Sequence, residues 1–353
     1  MSARIAALVL LAVYLAGCAQ TRQVMLYQAS DTESLLVWPD AQTREVPHYR
    51  YVGQLSGEAN FKSQGGSGNA FVKALHWIAG LSERNPEPVV LQRPQSGVTG
   101  DDGRVYVTDV SRKAVFVFDE AAGKLSVWEK ATAKLRFSSP IGVALGGNDE
   151  VLVTDSELHA VFRLDRDGTP VGSFGGDILM RPTGIARDPQ RGLVFVADTQ
   201  AHDLKVFDDA GRLVETIGQR GAAEGELNFP THLAFANGTL YVADTMNSRI
   251  QAFDAAGKAK LEFGKRGLYV GNMVRPKGVA VDAEANIYVM ESFHDHLLVF
   301  DRVGRFLLAI GGSGAGAGQF YLPAGVWIDK KDRVFVADMF NGRVVIFQFL
   351  GGH

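Results

Sequence analysis

One unit recurs six times along this chain, from about residue 94 onward. Each copy begins at a proline and reaches an acidic residue at the end of its second apolar strand. Successive prolines are 42 to 48 residues apart and successive acids 43 to 47 residues apart, so two markers give one period. A repeat constrains the fold strongly, because each copy must bury its apolar face against its neighbours. The prolines are Pro94, Pro140, Pro182, Pro230, Pro276 and Pro323, and the acids are Asp109, Asp155, Asp198, Asp244, Glu291 and Asp338.

The segments inside each copy have the composition of short strands. They are rich in β-branched and aromatic residues, as in VYVTD at 105–109 and LYVAD at 240–244. Glycine-containing turns separate them, and the repeat region has no long stretch of helical periodicity. A four-stranded unit of this length is the size of one propeller blade. The sequence therefore predicts an all-β, six-bladed β-propeller.

The turn after the second strand carries a family signature. It is ADTMNSR at 243–249 and ADMFNGR at 337–343, each following a proline and two apolar strands. This pattern resembles the NHL repeat, and the resemblance covers about three quarters of the chain. It implies a propeller of the NHL or TolB-like type. It implies little about activity, because this architecture hosts many functions.

The sixth copy has no fourth strand of its own after VVIFQF at 344–349. An open sixth blade would expose a strand edge, which soluble proteins avoid. The segment YRYVGQL at 49–55 is similar to the fourth strand of the fifth copy, FLLAIGG at 306–312, in its apolar positions and its glycine. We therefore expect residues 48–55 to form the outer strand of the last blade and to close the ring.

Residues 1–18 have the pattern of an export signal. One arginine precedes an apolar run over 5–16 that is too short to span a bilayer. The sequence LAGC at 15–18 resembles the bacterial lipobox, and Cys18 is the only cysteine. This resemblance implies cleavage before Cys18 and lipidation, with palmitate, of a bacterial lipoprotein. Because Ala19 rather than Asp follows, it implies an outer-membrane anchor facing the periplasm. A plain signal peptide or an apolar helix is the alternative.

These assignments divide the chain into a signal peptide at 1–17, an extended tether at 18–47 and a propeller at 48–353. The connection over 56–93 is much longer than the others, and such loops are usually functional or disordered. Within it, the segment FVKALHWIAGL at 71–81 has apolar residues at helical spacing. We expect an inserted loop or short helix there, lying against the mouth of the ring or acting as a structural plug.

Charge and cysteine content limit the partners. The chain has 36 Lys and Arg against 39 Asp and Glu, a net charge of −3, which gives no basic footprint for nucleic acid. Export also disfavours RNA binding, which some NHL proteins perform. With one cysteine there is no intrachain disulfide and no Cys-based zinc site. We expect a monomeric propeller without a cofactor.

The six strand-end acids are expected to be structural. An Asp before a tight turn accepts backbone N–H bonds and fixes the turn. Their presence in every copy indicates a duty that each blade needs. Arg249 and Arg343 lie five residues after their acids and are expected to be partners in this role.

Few side chains are candidates for ligand contact. His232 stands where the other five copies have glycine, at the head of the innermost strand, so its imidazole is expected near the channel. His294 and His296 flank one turn of the fifth copy, and with His232 they could bind a metal, although we predict no metal or catalytic residue. Trp77 in the long connection and Trp327 at a strand head complete the candidate mouth residues.

The apolar strand heads and the rigid ring favour a non-catalytic platform that binds a protein, peptide or cell-envelope ligand at its loop-rich face. A metal-dependent envelope hydrolase or lyase, of the propeller lactonase or lyase type, is the alternative. By resemblance, such lyases use several pore histidines, whereas only His232 has a comparable position here. Lactonase-type propellers use acids and Asn around a pore metal, whereas the strand heads here are apolar. A purely structural envelope protein is a third possibility.

Overall fold

The computed structural model describes residues 23–43, 45–63 and 88–351. Its strands are numbered here in chain order, with those before the first repeat unit given first. The described residues contain the strands β1 (Gln23–Met25), β2 (Val37–Trp38), β3 (Tyr49–Leu55), β4 (Phe61–Ser63), β5 (Pro94–Thr99), β6 (Val105–Asp109), β7 (Ala114–Asp119), β8 (Lys124–Trp128), β9 (Pro140–Leu145), β10 (Val151–Asp155), β11 (Ala160–Leu164), β12 (Pro170–Phe174), β13 (Pro182–Asp188), β14 (Leu193–Asp198), β15 (Asp203–Asp208), β16 (Leu213–Ile217), β17 (Pro230–Ala236), β18 (Thr239–Asp244), β19 (Arg249–Phe253), β20 (Ala259–Phe263), β21 (Pro276–Val281), β22 (Ile287–Glu291), β23 (His296–Phe300), β24 (Phe306–Gly311), β25 (Val326–Ile328), β26 (Arg333–Asp338) and β27 (Arg343–Phe349). Short 3-10 turns lie at Glu33–Leu35, Ala41–Thr43, Glu58–Asn60, Thr245–Asn247 and Met339–Asn341.

The strands form six antiparallel sheets, one for each repeat unit. Blades 1 to 5 each hold four strands in chain order, from β5–β8 through β21–β24. The first strand of each blade is innermost, and these six strands pack side by side around a central axis. The sixth blade packs against the first through β25 and β5, which completes the circle. The predicted six-bladed propeller is confirmed.

Burial follows a strand's position within its blade. All five residues of β10, a second strand, are buried, because neighbouring blades cover both of its faces. In the outer strand β16, four of five residues are exposed. Separate apolar clusters fill the spaces between adjacent blades, so the core is a set of wedges around the ring.

The strand order gives the ring two distinct faces. Every inner strand runs in the same direction, because a connection from an outer strand always leads to the head of the next inner strand. We call the face with these connections and the second-to-third turns the loop-rich face. The opposite face, with the first-to-second and third-to-fourth turns, is called the turn face.

The ring closes with a strand from the N-terminal region, as predicted. β3 pairs antiparallel with β27, with Gly53 opposite Ile346 and Tyr51 opposite Phe347. Tyr51 is 2% exposed and belongs to the cluster between blades 5 and 6. β2 adds a fifth strand beyond β3, which the sequence did not reveal. Its Trp38 packs edge-on against Phe347, with ring centroids 5.2 Å apart.

The described part of segment 18–47 differs from an extended tether. β1 pairs with β4, and its Met25 is buried in the cluster beneath blades 1 and 6. Trp38 lies in the neighbouring cluster. These apolar side chains gain more from burial against the outer strands than from exposure on a free linker. Four residues, 19–22, separate Cys18 from the first strand.

The ends of the 56–93 insertion also lie against the ring. Gly57 forms a bridge with Val90, which joins the two ends of the insertion. The fully buried Asn60 donates hydrogen bonds to the carbonyl oxygens of Leu26 and Gln54, at 2.9 and 2.8 Å. The predicted helix at 71–81 falls outside the described residues. In the described ranges, no helix has the length and apolar character needed to cross a bilayer.

Candidate functional site

Close packing of the inner strands narrows the channel towards the loop-rich face. A Cβ on Gly184 would lie 2.6 Å from the Cα of His232, and one on Gly278 would lie 2.8 Å from the carbonyl oxygen of Ala324. Glycine at this third position of the strand therefore lets neighbouring strands converge. This packing explains the glycine at that position in blades 2, 3, 5 and 6. In blade 1 the position is Ser96, because Gly97 is the fourth residue of its strand and not the third as the sequence alignment implied, so His232 and Ser96 are the two side chains at that level.

Below this constriction lies the central cavity, of about 540 Å³. Its lining begins at the third residues of the inner strands and ends at the first-to-second turns, so the cavity opens on the turn face. Its walls are mainly Val, Ala, Leu and Ile. At the rim, Lys330 and Asp101 form an exposed ion pair at 2.7 Å. The mouth predicted from the sequence is at the loop-rich face, but the strand heads close the channel there.

His232 lies at the deep end of this cavity with both ring nitrogens engaged. The amide of Val279 donates to Nδ1 at 3.3 Å, so in the neutral ring the proton is on Nε2, which donates to Ser96 Oγ at 3.2 Å. Burial lowers the pKa of His232 to about 4, which keeps the imidazole neutral at pH 7. Neither nitrogen has a free lone pair, so this histidine does not fit the metal site that the lyase alternative requires.

Trp327 is part of the cavity wall. Its side chain is 6% exposed and stacks on Phe335, with ring centroids 5.3 Å apart and planes 8° apart. The indole Nε1 donates to Thr99 Oγ1 at 3.2 Å. The ring also covers Gly97, where any larger residue would collide with it. Trp327 therefore joins the sixth blade to the first and faces the cavity with one edge.

His294 and His296 belong to a different place, a small pocket of about 250 Å³ beside the second-to-third turn of blade 5. His294 Nδ1 lies 3.0 Å from Glu291 Oε2, and His296 Nδ1 donates to the carbonyl oxygen of His294 at 2.6 Å. The structure does not bring this pair to His232. Across residues 23–43, 45–63 and 88–351, no three His, Cys, Asp or Glu side chains form a group that could hold a metal. Cys18 and Trp77 lie outside these ranges.

The six strand-end acids are fully buried and tie each blade to the connection that enters it. In blade 2, Asp155 accepts backbone N–H bonds from Ser138 and Ser139, at 2.7 and 3.0 Å, and from Leu158 in its own turn at 3.1 Å. Asp109, Asp198 and Glu291 likewise accept two consecutive N–H bonds from the incoming connection, whereas Asp244 and Asp338 accept one each.

Two of these acids also hold a buried arginine. Arg249 Nε lies 2.8 Å from Asp244, and Arg343 Nε lies 2.8 Å from Asp338. Each guanidinium reaches carbonyl oxygens of the preceding connection as well, for example that of Gln319 from Arg343 at 2.9 Å. Acid and arginine together fix the long connections that build the loop-rich face.

The loop-rich face carries exposed apolar side chains on blades 4 to 6. Two residues after the acid, these blades have Met246, Phe293 and Phe340, whereas blades 1 to 3 have Ser111, Glu157 and Gln200. Phe229 and Tyr321, in the connections to blades 4 and 6, are also exposed. We call this set of five side chains the apolar crescent; their exposures are Phe229 42%, Met246 58%, Phe293 50%, Tyr321 51% and Phe340 47%.

Packing within the crescent is partial. Tyr321 and Phe340 meet edge-on at 5.7 Å, and the guanidinium of Arg93 lies 5.1 Å from the Phe340 ring centroid. Sequence reasoning missed this surface because it treated the second residue after each acid only as part of a turn. Comparison of that one position across the six copies would have revealed it.

Comparison with known proteins gives the same architecture. A family model described as a 6-bladed β-propeller matches residues 279–353. A 66-residue segment is 32% identical to the human E3 ubiquitin-protein ligase NHLRC1, covering 18% of this chain and 17% of that protein.

Solved structures with the same fold differ widely in function. A gluconolactonase from Xanthomonas campestris is similar with a TM-score of 0.56 and 19% identity, over 77% of this chain and 93% of that one. An auxiliary nutrient binding protein from Bacteroides ovatus is similar with a TM-score of 0.57 and 14% identity, over 73% of this chain and 69% of that one. At such identities the likeness extends to the fold alone. The chain is a six-bladed β-propeller, and its repeats resemble the NHL repeat.

Proposed function

We propose that this protein is a lipid-anchored binding module of the bacterial cell envelope that captures a protein or peptide on its loop-rich face. The observation that carries this proposal is the apolar crescent. Monomeric soluble proteins rarely expose clustered large apolar side chains unless a partner covers them. Here the backbone beneath the cluster is held by buried acids such as Asp244 and Asp338, so a partner would meet a preformed surface with little ordering cost.

Membrane attachment would come from Cys18. With β1 packed on the ring, at most five residues of extended chain, spanning about 18 Å, would link the lipid to Gln23. Gln23 contacts the third-to-fourth turn of blade 1, where a Cβ on Gly123 would collide with its carbonyl oxygen. That turn lies on the turn face. The anchor would therefore hold the turn face towards the outer membrane and leave the crescent pointing into the periplasm.

The enzyme alternative has less support from the described residues. A propeller lyase or lactonase needs a metal in the channel, and His232, the ligand-type side chain at the constriction, is saturated by Val279 and Ser96. Metal analysis of the purified protein addresses this directly. Stoichiometric zinc or calcium that disappears in His232→Ala would favour the enzyme over the binding module.

Photo-crosslinking in intact cells tests the binding proposal. A photoreactive phenylalanine analogue replaces Phe293 or, in a second variant, Phe340. The control places it at Val171, which is 53% exposed on the outer strand of blade 2. We expect discrete protein or peptide adducts from the two crescent positions and none from the control. Identical patterns at all three positions, or no adduct anywhere, would contradict the proposal.

The anchor is tested separately by feeding cells radiolabelled palmitate. The label should enter the wild-type protein and be absent from Cys18→Ala. Label that persists in the variant, or never enters the wild type, would contradict lipidation at this residue without bearing on the crescent.

A further inference from the structure

Beside the crescent, three basic side chains gather where inner strands begin. Arg93 and Arg275 immediately precede the prolines that start β5 and β21, and Lys277 is the second residue of β21. These strand heads converge on the axis at the loop-rich face. We call the three residues the basic cluster. Arg93 also lies over the Phe340 ring, so the cluster and the crescent share an edge.

The described residues offer this cluster no ion-pair partner. Sixteen ion pairs occur in the described ranges, and none includes Arg93, Arg275 or Lys277. The strand-end acids of the same two blades are Asp109 and Glu291. Both are already occupied by backbone N–H donors of the incoming connections, including those of the two arginines.

Lys277 belongs to the inner strand β21, and Arg275 and Arg93 belong to the connections that lead into β21 and β5. Its side chain is half-buried, and burial together with the charges of Arg275 and Arg93 lowers the pKa of its ammonium group. A lysine flanked by two guanidinium groups gains from any anion placed between them, because that anion offsets both the desolvation and the mutual repulsion.

We propose that the ligand captured on the loop-rich face is an acidic peptide segment, whose carboxylates lie on the basic cluster and whose large apolar side chains lie on the crescent. This inference rests on the proposed function and adds the chemistry of the partner. The positive charge of the basic cluster favours an anionic ligand. The exposed apolar side chains of blades 4 to 6 favour a ligand that is larger than a simple ion and has apolar groups of its own. An anionic membrane is the less suitable occupant, since the anchor emerges beside the turn face.

The test uses the purified protein and an array of short synthetic peptides that vary independently in acidic and aromatic content. We expect peptides rich in both to bind best, with affinity that falls as salt rises. Arg93→Gln and Lys277→Gln should each weaken that binding by about threefold to tenfold, in the range of single charge pairs at a partly desolvated interface. Lys330→Gln, on the turn face, should leave it unchanged.

Two outcomes of the peptide assay would overturn the inference, and a third comes from vesicles. One is an array without preference for acidic peptides; the other is equal weakening by all three variants. Vesicles containing phosphatidylglycerol serve as a competing probe, and binding to them that depends on Arg93 and Lys277 would assign the cluster to a membrane instead. Thermal unfolding of each variant checks that the ring is intact. Crosslinks at Phe293 without acidic preference would refute this inference alone, whereas absence of crosslinks would refute the proposed function.

Discussion

Removal of one ring from the closing blade should show how strongly the N-terminal strands stabilise the propeller. Phe347 of β27 is fully buried and meets three aromatic rings: Trp38, Tyr51 and Phe320, at centroid distances of 5.2, 6.2 and 6.1 Å. Two of these rings come from the N-terminal region. Phe347→Ala therefore removes contacts that hold β2 and β3 on the last blade.

The magnitude follows from a matched control. Phe253 has the equivalent place in the third strand of blade 4 and is 1% exposed, but it forms no aromatic pair with the described residues. Truncating a buried phenylalanine to alanine costs about 3–5 kcal/mol of unfolding free energy. Each aromatic pair adds about 0.5–1.5 kcal/mol beyond burial. With three such pairs at Phe347 and none at Phe253, we expect Phe347→Ala to cost about 1.5–4.5 kcal/mol more than Phe253→Ala.

Urea unfolding of both variants measures the difference, and limited proteolysis locates it. In Phe347→Ala, cleavage should begin in the segment before β3, whereas Phe253→Ala should lose no N-terminal fragment ahead of global unfolding. The reasoning is refuted if Phe253→Ala is as destabilising as Phe347→Ala, or if both variants release the N-terminal segment at the same rate.

Two further predictions concern the constriction of the channel. Burial lowers the pKa of His232 from 6.5 to about 4 in the folded protein. Below pH 6.5 its imidazole is therefore protonated in the unfolded chain but stays neutral in the folded protein. The free energy of unfolding should therefore fall by up to about 3 kcal/mol on account of this histidine as the pH falls from 6.5 towards 4. Urea unfolding of His232→Gln should show a smaller loss of stability over this pH range. Equal losses in the variant and the wild type would contradict a buried, neutral His232. Gly184→Ala, whose Cβ would lie 2.6 Å from the His232 Cα, should lose about 1–3 kcal/mol, while Gly176→Ala, with no heavy atom within 4 Å, should stay within about 0.5 kcal/mol of wild type. Calorimetry distinguishes these two glycine variants, and similar melting temperatures for both would refute the packing argument.

The parts of the fold that could be predicted from the sequence are those for which several copies of the repeat give the same information. Residues 49–55 could be assigned to the last blade because their apolar positions and Gly53 match the fourth strand of the fifth copy. β1 and β2 could not be foreseen, since strands of three and two residues carry no periodicity. Their positions depend on which apolar surface of the ring Met25 and Trp38 happen to cover.

The candidate sites divide in the same way. The position of His232 at a strand head was evident, because it interrupts a column of glycines. The face on which the cavity opens could not be predicted. It depends on how closely the six inner strands approach one another at the level of Gly184 and Gly278. The basic cluster contains residues from blades 1 and 5. The residue spacing within one repeat does not indicate which side chains of other blades will lie near it, so the cluster could not be predicted.

Closure by β3 also imposes an order on the folding of the chain. Gln54 is joined to Arg343 by a side-chain hydrogen bond that spans 289 positions of the chain. β3 must therefore wait, with the edge that faces β27 unpaired, until almost the whole polypeptide has been synthesised. Until then the molecule is an open arc whose terminal sheets are vulnerable to mispairing. A premature stop codon within β27 would thus shorten the sixth blade and would also leave the ring open, because β3 would lack its partner strand.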